Sequence, residues 1–306
     1  MKIFSAPLQG YTDCAWRNIH SRVFAGTIDC YYAPFLRLEK GAFRNKDLRD
    51  ITPEANSSYR LVPQVMACPR EHFSVLVEKV ASMGYREIDI NMGCPFPPVV
   101  KRHCGAGVLP YPEEVKAMLA VLCEYPDVAF SIKMRLGVEN CEEWRTLMPI
   151  IAAVNPVHVS LHPRTARQQY GGEINMEQFG RFYDEAPFPV VYNGDLRTGD
   201  DITSVSTRYP RLCAMMIGRG LLYNPALAYS GNDARHKIMV MHRLLFEYYR
   251  NHLCGDAHLL AKMKSLWEYF LAETGDRKCR KKILKSSSIE KYNAAVEEFW
   301  HSLNND

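Results

Sequence analysis

The chain has 306 residues, 47% of them hydrophobic and 24% charged, with a net charge of +4 at neutral pH. Those values are ordinary for a soluble globular protein, and the length suits one large domain with a smaller one beside it. No apolar run approaches the roughly 18 residues that a membrane span needs, so no membrane association is expected.

The opening stretch "MKIFSAPLQG" reads as a first strand and not as a signal peptide. Short apolar or β-branched runs closed by Gly, Pro, Asn or Asp then recur at 3–7, 29–35, 60–66, 87–93, 129–136, 157–163, 189–195 and 214–220. Helical patterns lie between most of them, as at 69–85 and 111–125, each with a proline near its start. Eight strand-then-helix repeats predict an α/β fold, a (β/α)8 TIM barrel over residues 1–234. From 235 to 306 the periodicity is helical, at 237–253, 258–273 and 288–303, which predicts a small C-terminal all-helical domain.

Barrel chemistry sits at the C-terminal strand ends. Seven of the eight ends carry polar or titratable groups: Gln9 after Pro7 and Leu8, Gln64, Asn91 with Cys94, Lys133 with Arg135, His162, Asn193-Gly194-Asp195, and Gly218-Arg219. So many converging polar ends predict an enzyme. The last two are glycine-bearing turns where barrels commonly bind phosphate, and Arg219 adds a charged fork. A lysine facing into a barrel is costly unless it meets an anion or a ring system. Lys133 therefore suits either a Schiff base or a hydrogen bond to an electron-rich heterocycle. The amides and imidazole at Gln64, Asn91, His162 and Asn193 match the edges of a planar ring and favour the second role.

Ten cysteines are scattered without a CxxC pair or a zinc-ligand spacing, so no metal is expected. Without a secretion signal they suit a reducing cytoplasm, mostly as small buried hydrophobes. A disulfide at Cys94 is disfavoured on these grounds, and Cys104 reads as incidental. The last quarter holds the whole charge surplus, 13 Lys and Arg against 9 Asp and Glu over 235–306. Its densest part, "RKCRKKILK" at 277–285, is a solvated helix face or a grip for a phosphate backbone.

In this order "APLQGYTD" (6–13), "NMGCP" (91–95), "KMRLG" (133–137), "HPRTARQQY" (162–170), "NGD" (193–195) and "IGRG" (217–220) resemble the tRNA-dihydrouridine synthase family. The tail stretch "LLAKMKSLWEYFL" is similar to that family's C-terminal domain, so the resemblance spans nearly the whole chain. It implies an FMN-dependent oxidoreductase that reduces the C5=C6 bond of specific uridines in tRNA to 5,6-dihydrouridine, using NADPH or NADH.

Carried over by position, the resemblance implies that Pro7, Leu8, Gln9, Gln64, Lys133, His162, Asn193, Gly194, Asp195, Gly218 and Arg219 hold the cofactor. Asn91 and Arg135 would face the uracil, and Lys278, Arg280, Lys281 and Lys282 would meet tRNA phosphates. Hydride from the flavin to C6 would need a proton at C5, and a thiol with an ordinary pKa is protonated at neutral pH, which points to Cys94 as general acid. Three positions depart from the commonest pattern: Leu8 for methionine, and Ala67 and Pro163 where glycine is frequent. The competing readings are an FMN barrel reducing a free small molecule, in the manner of dihydroorotate or ene reductases, and a catalytically silent RNA-binding barrel. The resemblance suits a cytoplasmic protein, and nothing in the sequence asks for more than a monomer.

Overall fold

The computed structural model describes residues 1–69, 73–272 and 277–304. Its strands are β1 (Lys2–Ser5), β2 (Cys30–Tyr32), β3 (Leu38–Glu39), β4 (Ala42–Phe43), β5 (Leu61–Val62), β6 (Gln64–Met66), β7 (Glu87–Met92), β8 (Ala129–Gly137), β9 (Val159–Thr165), β10 (Val190–Tyr192) and β11 (Ala214–Ile217). β3 and β4 form a separate antiparallel hairpin. The other nine make one parallel sheet in the order β5-β2-β1-β11-β10-β9-β8-β7-β6.

The two ends of that order, β5 and β6, are separated in the chain only by Pro63. They are one strand, interrupted where proline has no N–H to give the ladder. Its first half pairs with β2 and its second with β7, while the Pro63 carbonyl accepts from Asp89 N at 2.9 Å. The nine pieces thus amount to the eight expected strands, and the sheet closes into a barrel.

Alternation sorts the side chains. Ile88, Ile90, Ile132, Met134, Val159 and Leu161 point outward into the main core against the helices. One end of the interior is filled by Phe4, Cys30, Tyr32, Val62, Val191, Ala214 and Met216. Asp89, Asn91, Ser131, Lys133, Arg135, Ser160 and His162 alternate with the outward set, so polar groups line the rest of the barrel.

Helices Phe73–Ser82 and Pro112–Ala120 fall inside the expected segments, although Arg70, Glu71 and His72 lie outside the described residues. Beyond the barrel come helices Ala234–His252, Gly255–Trp267, Arg277–Lys285 and Ile289–Asn304. The expected helix over 258–273 therefore stops early, at Trp267, and Glu273 lies outside the described residues. Trp267 and Phe270 are core residues, and the Trp267 indole N–H donates to Tyr292 Oη at 2.9 Å. Polar ties bind these helices to the loop after β1: Tyr249 Oη donates to Asp13 at 2.7 Å, and Lys262 Nζ meets Asp13 and the Gly10 carbonyl, each at 2.8 Å. Among the described residues no helix is long and apolar enough to cross a membrane.

Candidate active site

A cavity of about 410 Å³ opens at the C-terminal ends of the strands. Its wall includes Pro7, Leu8, Gln9, Asn91, Cys94, Lys133, Arg135, His162, Asn193, Gly194, Asp195, Gly218 and Arg219. One expected cofactor residue is not on that wall. Gln64 is fully buried behind Asn91, and its amide is engaged at both ends.

Gln64 belongs to a directional chain of hydrogen bonds that ends at the cysteine. Ser131 Oγ and Gln64 Nε2 both donate to the Asp89 carboxylate, at 2.7 and 2.6 Å. Asn91 Nδ2 donates to Gln64 Oε1 at 2.7 Å, and Asn91 Oδ1 accepts from the N–H groups of Gly93 at 3.1 Å and Cys94 at 2.8 Å. Each amide is oriented by its neighbour, so the loop after β7 is tied to the barrel interior. Burial raises the Asp89 carboxyl to about 6, partly opposed by the bonds from Gln64 and Ser131.

Two further interactions fix the same loop. Arg135 is buried and donates from Nε to the Gly93 carbonyl and from Nη1 to the Thr165 carbonyl, both at 2.9 Å. Gly105, at φ +56°, passes beneath the cysteine, where a Cβ would lie 2.9 Å from Cys94 Cβ. The Cys94 thiol is free, and burial pushes its pKa up, outweighing the Phe96 N–H and the charge of Arg135 that pull the other way.

One expectation about the cysteines is corrected: Cys104, read as incidental, is not a free thiol. Cys68 and Cys104 form a disulfide with Cα atoms 4.4 Å apart. The barrel brings them together across 36 residues, because Gly105 N bonds the Ala67 carbonyl at 2.8 Å and so lays the two segments side by side. Spacing along the chain carries no sign of this approach.

Lys133 projects into the cavity, and burial followed by the Arg135 charge lowers its pKa to about 8. Ser160, its register partner on β9, has a buried hydroxyl without a hydrogen-bond partner among the described residues. Burial and the surrounding Arg135, Lys133, Arg164 and Arg219 hold His162 well below the usual imidazole range, so the ring is neutral. Arg164 Nη1 lies 3.1 Å from His162 Nε2 and can only donate, which puts the imidazole proton on Nδ1.

Asp195 joins Arg164 at 2.6 Å and Arg219 at 2.7 Å. Burial raises its pKa, but the two guanidinium groups outweigh that and leave it below the usual carboxylate value. Asn193 Nδ2 donates to the Met216 carbonyl at 2.8 Å, bracing β10 against β11. At Gly194 a Cβ would strike the Tyr192 ring, whereas at Gly218 it would meet only Ala6 and Leu8 side chains at ordinary van der Waals distance. Pro163 leaves its neighbour in place: His162 still lines the cavity, and the Pro163 carbonyl accepts from Asn175 N at 2.9 Å.

The basic run forms helix Arg277–Lys285, away from the cavity wall. Lys278, Lys281, Lys282 and Lys285 line a shallow groove with Lys291, and Lys282 pairs with Glu298. Arg280 is used differently. Its guanidinium donates to the Trp267 carbonyl at 2.8 Å and the Glu268 carbonyl at 2.7 Å, capping the end of a helix.

Sequence reading missed Asp89, Arg164 and Tyr170. The first two sit two residues from Asn91 and His162, so strand alternation alone puts them on the same faces. Tyr170 lies between the guanidinium groups of Arg135 and Arg219, 5.3 and 5.2 Å from its ring centre. That position comes from a loop, which no periodicity reports.

Comparison with known proteins agrees with this geometry. Solved structures with the same fold include morphinone reductase, with a TM-score of 0.53, 10% identity, and coverage of 77% of this chain and 85% of that one. The old yellow enzyme from Trypanosoma cruzi aligns with a TM-score of 0.51 at 12% identity, covering 77% and 88%. Curated relatives include a probable tRNA-dihydrouridine synthase of Staphylococcus aureus, 24% identical over 98% of this chain and 94% of the relative. Probable tRNA-dihydrouridine synthase 2 of Bacillus subtilis is 24% identical over 96% and 92%, and tRNA-dihydrouridine synthase B of Pasteurella multocida is 24% identical over 92% and 82%. The family model described as dihydrouridine synthase matches residues 4–305, from the first barrel strand to the last helix, and the chain belongs to that family.

Proposed function

We propose that this protein reduces uridines of tRNA to 5,6-dihydrouridine, with FMN held in the barrel-mouth cavity and NADPH or NADH as the electron source. The observation that carries this reading is a free, protonated thiol, Cys94, in the wall of the same cavity as Lys133, His162 and the Asp195–Arg219 pair.

The donor set suits a flavin phosphate. Lys133 offers a hydrogen bond to a ring system, while Gly218 and Arg219 on the same wall offer a side-chain-free backbone and a charged fork to an anionic tail. Pro7, Leu8, Gln9, His162, Asn193, Gly194 and Asp195 complete that pocket, and Gln64 acts from behind through Asn91. Bound FMN would supply the hydride for C6 of the uracil.

The protein's own part is the proton. Cys94 gives its proton to C5 and is left as a thiolate, which Arg135 and Lys133 stabilise until solvent reprotonates it. Asn91, Arg135 and Gly105 keep the sulfur on the cavity wall throughout. A stacked base cannot enter such a cavity, so the uridine is swung out of the RNA at a cost of a few kcal/mol that backbone contacts offset. We assign those contacts to residues 235–306 as a tRNA-binding domain, with Lys278, Lys281 and Lys282 foremost, and the reaction to the cytoplasm.

The test is to photoreduce the purified protein, mix it anaerobically with unmodified tRNA and follow the visible flavin band. Return of the oxidised band with dihydrouridine in the recovered RNA is the expected result. A flavin that stays reduced with tRNA but reoxidises with a small enone or orotate assigns the protein to small-molecule reduction instead. Failure to bind FMN at all rules out both.

A further inference from the structure

Phe96 is an exposed aromatic side chain in a place where exposure needs a reason. It stands two residues after Cys94, lines the mouth of the cavity and is 56% exposed. The backbone around it is stiff: Pro95, Pro97 and Pro98 flank it, and its carbonyl accepts from Val99 N at 2.8 Å and Val100 N at 3.0 Å. Val99, three residues on, is buried against Phe35, Met66 and the Cys68–Cys104 pair, so the loop is anchored below while Phe96 is left outside. Exposed Lys101 and Arg102 follow at the end of the same short turn.

A rigid loop that holds an aromatic ring at a cavity rim, beside two cations, has the elements of a stacking platform for single-stranded nucleic acid. The uracil itself has to lie deeper, next to Cys94. At the rim the ring meets what the RNA chain brings there, the neighbour of the extruded nucleotide. That neighbour has just lost a stacking partner, and a preorganised π-face replaces it without first ordering a loop.

We propose that Phe96 stacks on the nucleobase adjacent to the extruded uridine and so acts as a specificity and positioning residue for the RNA. The inference rests on the tRNA reading of the active site. Because the Phe96 N–H that faces the Cys94 sulfur belongs to the backbone, substituting the side chain leaves that interaction in place.

The experiment compares wild-type holoenzyme with Phe96→Ala, Phe96→Leu and Phe96→Tyr. Reoxidation of the photoreduced flavin is followed over a range of unmodified tRNA concentrations, and flavin content per chain checks that each variant folds. For Phe96→Ala the half-saturating tRNA concentration is expected to rise on the order of 10-fold. Phe96→Tyr should remain close to wild type, whereas Phe96→Leu, apolar but without a π-face, should behave like the alanine variant. Unchanged half-saturation in Phe96→Ala, or full retention by Phe96→Leu, overturns the stacking role while the tRNA reading stands. If the defect is instead in flavin reduction by NADPH, the ring serves the nicotinamide and the inference fails. If wild-type flavin is not reoxidised by tRNA at all, the functional reading and this inference fall together.

Discussion

Asn91 Oδ1 accepts the backbone N–H of Cys94 at 2.8 Å, and Asn91 Nδ2 is held in that orientation by Gln64 Oε1 at 2.7 Å. The position of the sulfur therefore depends on an amide whose direction is set by a second amide and, through it, by Asp89. Asn91→Ala leaves the buried Gly93 N–H and the half-buried Cys94 N–H without their acceptor, at a cost of about 1–3 kcal/mol, and lets the loop drift. A displacement of about 1 Å at a reacting group is enough for a loss on the order of 100-fold. Single-turnover reoxidation by tRNA should fall by that factor while flavin content stays near wild type. Cys94→Ser should also keep its flavin and lose most turnover. Because burial raises the thiol, the alkaline decline of the wild-type rate should lie above the ordinary thiol value of about 8.5. An alkaline limb that survives unchanged in Cys94→Ser would assign the proton to another group.

Asp89 gives a prediction about stability. Its folded pKa is raised to about 6 from an ordinary 3.8, so the folded state holds a proton that the unfolded chain has released. The stability tied to that proton is complete below pH 3.8 and is lost as pH rises through about 6, to a total of about 3 kcal/mol. Asp89→Asn keeps an acceptor for Gln64, and its amide can donate to Ser131, so the chain of bonds survives without the charge. Thermal unfolding should find Asp89→Asn at least as stable as wild type at neutral pH, with a smaller difference near pH 4. A variant less stable at every pH would mean that the carboxylate is needed as such. Asp89→Ala, which leaves Gln64 and Ser131 unpartnered, should be markedly destabilised.

The C-terminal basic residues divide into two kinds. Lys281 and Lys285 are exposed on the groove, whereas Arg280 caps the end of helix Gly255–Trp267. Removing both lysine charges, as Lys281→Gln with Lys285→Gln, should flatten the dependence of tRNA affinity on salt. The log–log slope should fall by about 0.7–0.9 for each phosphate that is no longer neutralised. Arg280→Ala should lower the melting temperature, because the carbonyls it serves lose their partner. An unchanged slope in the double lysine variant would move the RNA to another face.

Much of this molecule is legible in one dimension. Eight short apolar runs closed by turn residues specify a barrel, because a strand buried on both faces has few other ways to satisfy its backbone. Polar residues at the strand ends mark where chemistry collects, and alternation by itself places Ser131, Lys133 and Arg135 on one face. The interruption at Pro63 is local too, since a residue without an N–H cannot continue the ladder.

Tertiary structure decided what depends on approach between distant segments. The burial of Gln64 is one such feature: the register that pairs Gln64 with Asp89 lets its amide donate to that carboxylate and accept from Asn91. Arg135 and Arg280, expected from the resemblance to meet the substrate, spend donors on backbone carbonyls that only the folded chain brings within reach. The bond between Cys68 and Cys104, and the burial that keeps Cys94 protonated, arise in the same way. Sequence determines which faces the groups take, because side-chain alternation is a property of the backbone. Depth, partners and protonation follow from packing, which joins residues that the chain keeps far apart.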